Sequence, residues 1–277
     1  MAGQNKQLEG SDKTALITGA SSGIGRAFAG VFAEKGFDLI LVSRRRDRLE
    51  VLAKALSSQW GITARAFPAD LSDPETPRRI YEKLSGEHIK IDALINNAGY
   101  AITTPFSEAP WNIHADFLHV LLTSVTRLCH LFLPGMKENG YGRIINVGSI
   151  LAFMTGINGD LYYGAKSFLL RFSQALAAEL YGTGVHVTAL CPVFTKTELH
   201  EVTGIQEEVK RLPGFMWMDA DAVARQGYDA VMKGKSVYIN GLINRFIVAM
   251  MVIIPDPMQY AMARLANRKL KRTMTGA

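Results

Sequence analysis

Thr14-Ala15-Leu16-Ile17-Thr18-Gly19-Ala20-Ser21-Ser22-Gly23-Ile24-Gly25 decides the fold. Its first five residues are a short apolar run suited to a buried strand. Glycines follow at 19, 23 and 25, and residues 26–33 have helical character. Strand, glycine turn and helix in that order form the setting in which a dinucleotide is bound. Gly19 permits the tight turn, Gly23 lets backbone approach a pyrophosphate, and Gly25 lets helix and strand pack closely. The free N–H groups of the helix start then face the phosphates. The spacing is Gly-x-x-x-Gly-x-Gly rather than Gly-x-Gly-x-x-Gly. Read by itself, such a turn could also do no more than connect a strand to a helix.

Beyond the turn, strand and helix patterns alternate. Strand-like runs occupy 14–18, 38–43, 63–67, 93–96, 143–147, 186–190 and 236–239. Helix-like runs between them include 46–59, 111–133, 162–181 and 219–233. This alternation predicts an α/β fold with a parallel sheet covered on both faces. Right-handed crossovers make it doubly wound, with ligand at the carboxyl ends of the strands. No linker or repeat interrupts the pattern, so residues 12–240 read as one domain and 241–277 as a C-terminal apolar and basic extension. The stretch 193–218 breaks the alternation and is rich in apolar residues, which suggests a substrate lid.

Leu161-Tyr162-Tyr163-Gly164-Ala165-Lys166 carries the chemistry. On a helix, Tyr162 and Lys166 share one face. A phenol has a reference pKa near ~10, and a neighbouring ammonium is expected to lower it. Ser149 supplies a further hydroxyl, so Ser149, Tyr162 and Lys166 together can pass a proton to or from a substrate oxygen. Alone, Tyr-x-x-x-Lys is common and marks no more than an exposed helix face.

These segments together resemble the short-chain dehydrogenase/reductase family. The resemblance rests on Thr18-Gly19-x-x-x-Gly23-x-Gly25, Asp70-Leu71, Asn96-Asn97-Ala98-Gly99, Ser149, Tyr162-x-x-x-Lys166 and Pro192 through Thr197, in the family's order. It covers residues 12–200 strongly and 200–240 loosely. It implies a Rossmann-like fold and hydride transfer between a nicotinamide cofactor and a ketone or secondary alcohol. Asp70 would approach the adenine amino group and Asn97 the adenosine ribose. Thr195 would face the nicotinamide amide, and Lys166 would hold the nicotinamide ribose. Ser21, Ser22, Ile24, Leu71, Ala98, Gly99, Tyr162 and Pro192 complete the cofactor-facing set. A homodimer or homotetramer is also implied.

The second strand ends Leu41-Val42-Ser43-Arg44-Arg45. An acid there would bind both ribose hydroxyls of NAD, whereas arginine suits a 2′-phosphate. NADP is therefore expected, with Arg44 and Arg45 at the phosphate. Pocket candidates by chain position are Leu151, Phe153, Met154 and Phe194, all apolar, which favours a hydrophobic ketone or alcohol. The chain departs from the family pattern in two places. Leu121 stands where the family has an asparagine that supports a helix kink and a relay water, and Val193 replaces the glycine after the proline. A weakly active or non-catalytic NADP(H)-binding sensor or scaffold is the alternative reading.

The net charge of +6 is uneven. Residues 257–277 hold Arg264, Arg268, Lys269, Lys271 and Arg272 and no acid, leaving the rest near neutral. This concentration in a tail gives no indication of nucleic-acid binding. Cys129 and Cys191 read as small core residues. The two cysteines and the absence of a signal-peptide pattern suggest a reducing, cytoplasmic setting. The histidines show no metal spacing. The apolar stretch 246–254 is too short to span a bilayer. It is expected to pack on the body or a sister subunit, with weak contact to an anionic membrane surface as the alternative.

Overall fold

In a computed structural model, residues 8–102, 104–154, 160–195, 217–255, 257–261 and 264–265 are described. A parallel seven-stranded sheet organises them, in the order β3-β2-β1-β4-β5-β6-β9. Its strands are β1 (Thr14–Thr18), β2 (Asp38–Ser43), β3 (Ala64–Pro68), β4 (Ala93–Asn96), β5 (Gly142–Val147), β6 (Val185–Cys191) and β9 (Val237–Ile239). β7 (Phe194–Thr195) and β8 (Trp217–Met218) pair separately. The seven strands match the expected runs to within a residue or two; β1, β2, β4, β5 and β6 are largely buried apolar runs, whereas β3 and β9 at the sheet edges are only partly covered.

The strand order reverses between β1 and β4, which opens a crevice at their carboxyl ends. Helices α1 (Gly23–Glu34) and α2 (Arg46–Trp60) cover one face. Phe28, Phe32, Leu49 and Leu56 pack there against Ile17, Leu39 and Leu41. α7 (Ala220–Met232) joins that layer through Val223, Tyr228 and Val231. The other face buries Leu16, Leu94 and Ile144 under α3 (Thr76–Gly86), α5 (Ser124–Glu138) and α6 (Asp160–Glu179).

Residues 111–138 form one continuous helical stretch: α4 (Trp111–Leu118), a π-helical turn (His119–Thr123) and α5. By length and composition it could cross a membrane, but Phe117, Leu121, Leu128 and Phe132 bury it in the core. It runs five residues beyond the expected end at Leu133. Pro134 deletes only the hydrogen bond to the carbonyl of exposed His130, so the helix continues through it. After β9 comes α8 (Leu242–Ile253), which was expected only as an apolar stretch, and residues 257–261 and 264–265 are helical beyond it. Most of the expected lid, residues 196–216, lies outside the described residues.

Candidate active site

The glycine turn is built for close approach. Gly19 sits at φ 67° and Gly23 at φ 52°, in the left-handed region that favours glycine. A Cβ on Gly25 would lie 2.3 Å from the Gly19 carbonyl oxygen, so α1 packs on the turn only without a side chain. The Thr18 hydroxyl accepts from the backbone N–H groups of Asn97 (3.0 Å) and Ala98 (3.1 Å) and donates to the Ile95 carbonyl (3.3 Å). Asn97 returns its side-chain amide to the Thr18 carbonyl at 3.0 Å. These bonds lock the ends of β1 and β4 together across the crevice. Asn97 thus braces the turn in addition to the ribose contact expected of it.

Arg45 reaches the turn from the end of β2. Its guanidinium donates to the Ser21 hydroxyl at 2.9 Å and to the Ser22 hydroxyl at 2.7 Å. Arg44 beside it is exposed. Asp70 is exposed and accepts from the Ser72 N–H and hydroxyl at 3.0 and 2.9 Å. Two of the expected cofactor-facing residues spend their side chains on packing. Leu71 is buried in the core, and Ile24 packs against the α1 layer. Gly99 lies against Leu121, where an added Cβ would meet the Leu121 side chain at 3.6 Å.

Ser149 follows β5 and caps a 3₁₀ turn, Ile150–Phe153; its hydroxyl accepts from the Leu151 N–H at 3.1 Å. The Ser149 hydroxyl faces the Tyr162 phenol closely enough to favour its ionised form. Lys166, one turn further along α6, places its Nζ 5.3 Å from the centre of the Tyr162 ring. The structure therefore brings the three expected catalytic residues together. Their electrostatics differ from the expectation. Burial pushes the Tyr162 phenol up to about 12, with the Ser149 hydroxyl pulling the other way. Burial also brings the Lys166 ammonium down to about 8. Both shifts share a cause: low-dielectric surroundings disfavour whichever form is charged. Pro192 and Thr195 close this end of the site. The Pro192 carbonyl accepts from Ile150 N–H at 3.1 Å, and the buried Thr195 hydroxyl donates to the Val193 carbonyl at 3.0 Å.

The cleft beside Tyr162 is lined by Ile102, Thr104, Phe106, His114, Phe117 and Leu161. None of these was among the expected pocket residues. Phe153, which was, packs against Ala152, Leu170 and Cys191 instead. Apart from Leu161, which precedes Tyr162 on α6, the missed residues follow β4 and open α4, and that position was the signal available. His114 is buried, stacks on Phe106 with ring centres 4.6 Å apart, and hydrogen-bonds through Nε2 to the Phe106 carbonyl at 3.0 Å. Among the described residues no cluster of His, Cys, Asp and Glu could hold a metal ion.

A second group contains two residues, Asn146 and Ser173, that the sequence reading did not single out. Asn146 on β5 accepts from the Asn96 amide at 2.8 Å and donates to the Ser173 hydroxyl at 2.9 Å. Ser173 donates in turn to the Leu169 carbonyl. This buried chain joins β4 and β5 to α6, the helix that carries Tyr162 and Lys166.

A hydroxyl pair and a buried lysine at the mouth of a doubly wound sheet, next to a glycine turn, define an oxidoreductase of the nucleotide-dependent α/β class. Residues 13–208 match the family model for short chain dehydrogenase, and the chain belongs to that family. It is 34% identical over 233 residues to serine 3-dehydrogenase from Rhizobium radiobacter, covering 83% of this chain and 92% of that one. A short-chain dehydrogenase from Sphingobium yanoikuyae, solved in complex with NADPH, is similar with a TM-score of 0.76 and 32% identity. That likeness covers 88% of this chain and 97% of the other. The bulky-bulky ketone specific alcohol dehydrogenase from Comamonas testosteroni is similar at TM-score 0.73 and 28% identity, over 88% and 95% of the two chains.

Proposed function

We propose that this oxidoreductase transfers hydride between NADPH and the ketone or secondary alcohol of a hydrophobic substrate. The observation that carries the reading is Lys166 Nζ 5.3 Å from the centre of the Tyr162 ring, with the Ser149 hydroxyl facing the same phenol. The cofactor fits the residues present. The turn at Gly19 and Gly25 leaves room for no side chain, and the Arg45 guanidinium lies at its edge where a 2′-phosphate would pair with it. Arg44, Asp70, Asn97 and Thr195 would complete its binding. The NADPH bound to the Sphingobium relative supports the same choice.

The reduced nicotinamide supplies the hydride. Ser149 and Tyr162 hold the substrate oxygen between two hydroxyls. With its pKa near 12, Tyr162 remains protonated at neutral pH and is ready to give its proton to the forming alkoxide. The Lys166 ammonium stabilises the phenolate left behind. The apolar cleft wall formed by Ile102, Phe106, Phe117 and Leu161 supports a hydrophobic substrate, as does the ketone class named for the Comamonas relative. The proposal places the enzyme in the cytoplasm as a homodimer or homotetramer; its two free, buried thiols fit a reducing compartment.

The test is consumption of NADPH, with NADH alongside, against ketones from small to steroid-sized. Tyr162→Phe should cut turnover by at least about 100-fold while NADPH binding persists. Unchanged turnover in that variant overturns the mechanism. One observation favours a second reading. Leu121 is 1% exposed, so a hydrocarbon fills the place of the relay amide. NADPH binding without turnover on the whole panel would support a sensor or scaffold.

A further inference from the structure

α8 turns an apolar side outward, away from the body. On α8, Leu242, Phe246, Met250 and Ile253 form one stripe, with Ile243 alongside. Leu242 is 78% exposed, Phe246 68% and Ile253 76%. The inward side holds Val248 and a polar residue, Asn244, whose amide donates to the Asn240 carbonyl at 2.9 Å. Arg245, the only charged residue of the helix, is drawn back onto the body. It donates to the Ile239 carbonyl at 2.9 Å, and its guanidinium lies 4.5 Å from the centre of the Tyr238 ring. The outward stripe therefore carries no charge. Exposed apolar patches of this kind mark contact surfaces.

The adjoining sequence says what kind of surface this one meets. After Asp256, residues 257–277 hold five basic side chains and no acid, and exposed Met258, Tyr260 and Leu265 continue the apolar character. We propose that α8 and the basic segment after it dock this protein onto an anionic membrane surface. The apolar stripe enters the headgroup boundary while the basic side chains pair with acidic lipid. The helix cannot span: twelve residues reach about 18 Å, against a hydrocarbon core of about 30 Å. A second copy of the chain is the poorer occupant, because a two-fold pairing through this face brings two strongly basic segments to one interface. Val248, on the opposite side of α8, packs against Ile150 and Val193. Docking thus sets the turn that begins at Ser149 about one helix diameter, roughly 10 Å, from the lipid headgroups. The docking proposal stands apart from the redox reading and survives if that reading fails.

The experiment is flotation of the full chain with vesicles of phosphatidylcholine alone and of phosphatidylcholine with phosphatidylglycerol. The protein should float with the anionic vesicles only, and less at high salt. Phe246→Glu with Met250→Glu should weaken flotation at least tenfold while the thermal melt and NADPH binding stay in place. Lys269→Gln, Lys271→Gln and Arg272→Gln should each weaken it about fivefold. Failure to float, or equal flotation on both vesicles, overturns the proposal. So does a vesicle-independent dimer in analytical ultracentrifugation that the Phe246→Glu variant abolishes, since a second copy then occupies the face.

Discussion

Lys166 donates from Nζ to the Val147 carbonyl at 2.8 Å, which ties α6 to the end of β5 and fixes the ammonium beneath Tyr162. Burial holds that ammonium down at about 8, within reach of ordinary assay conditions. The charged form is the one that stabilises the tyrosinate. It is present below pH 8 and lost as the pH rises through that value. The kcat/KM for ketone reduction should be level below about pH 8 and fall up to tenfold per pH unit above it. A pH profile measured at saturating NADPH checks this. A level profile to pH 10 would mean that the ammonium charge is not used.

Arg45 bridges β2 to both serines of the glycine turn. Removing the guanidinium takes away the group placed for a 2′-phosphate and leaves an NAD ribose unaffected. Arg45→Ala should lower the NADPH/NADH ratio of kcat/KM at least tenfold, mainly through KM for NADPH. Arg44→Asp should move it the same way by adding an acid where none exists. Unchanged ratios in both variants would show that another group selects the cofactor.

Leu121→Asn restores an amide at the π-turn. The site is buried and faces Gly99, so the amide carries a desolvation cost of about 1–3 kcal/mol unless it finds partners. Turnover should rise or stay level while the melting temperature falls. A large fall in turnover with NADPH binding intact would assign Leu121 to the substrate site.

Asn146→Ala removes one partner each from the Asn96 amide and the Ser173 hydroxyl, both buried, leaving them Cys129 Sγ and the Leu169 carbonyl. The expected loss is about 2–3 kcal/mol, read as a lower urea midpoint. A change under about 0.5 kcal/mol would show that water takes the place of the amide.

Local pattern made the strands, the glycine turn and the Tyr162–Lys166 face legible, because each depends on residues close in sequence. The Asn96–Asn146–Ser173 chain was not, since its members lie 50 and 27 residues apart and meet only when the sheet forms. The same holds for the phenol. A lysine four residues away is visible in sequence, whereas the burial that raises the Tyr162 phenol belongs to the assembled fold. The 246–254 stretch showed its apolar character, but not that Asn244 turns inward and Phe246 outward. The family pattern ties the helix kink to an asparagine at position 121. With leucine there the stretch forms a π-helical turn, and the Ser124 and Thr126 hydroxyls donate to the Val120 and Leu122 carbonyls at 2.7 and 3.0 Å.

The π-helical turn at His119–Thr123 also acts as a phase setter for everything after it. Ser124 N–H bonds to the His119 carbonyl, so this stretch holds one residue more than a regular turn. Excising a single residue there would restore ordinary winding and swing the downstream helix by about 100° about its axis. Leu128 and Phe132 would then rotate off the sheet, and Arg127 would lose its grip on Glu75. One surplus amino acid thus sets the azimuth of the helical wall beside the reaction centre.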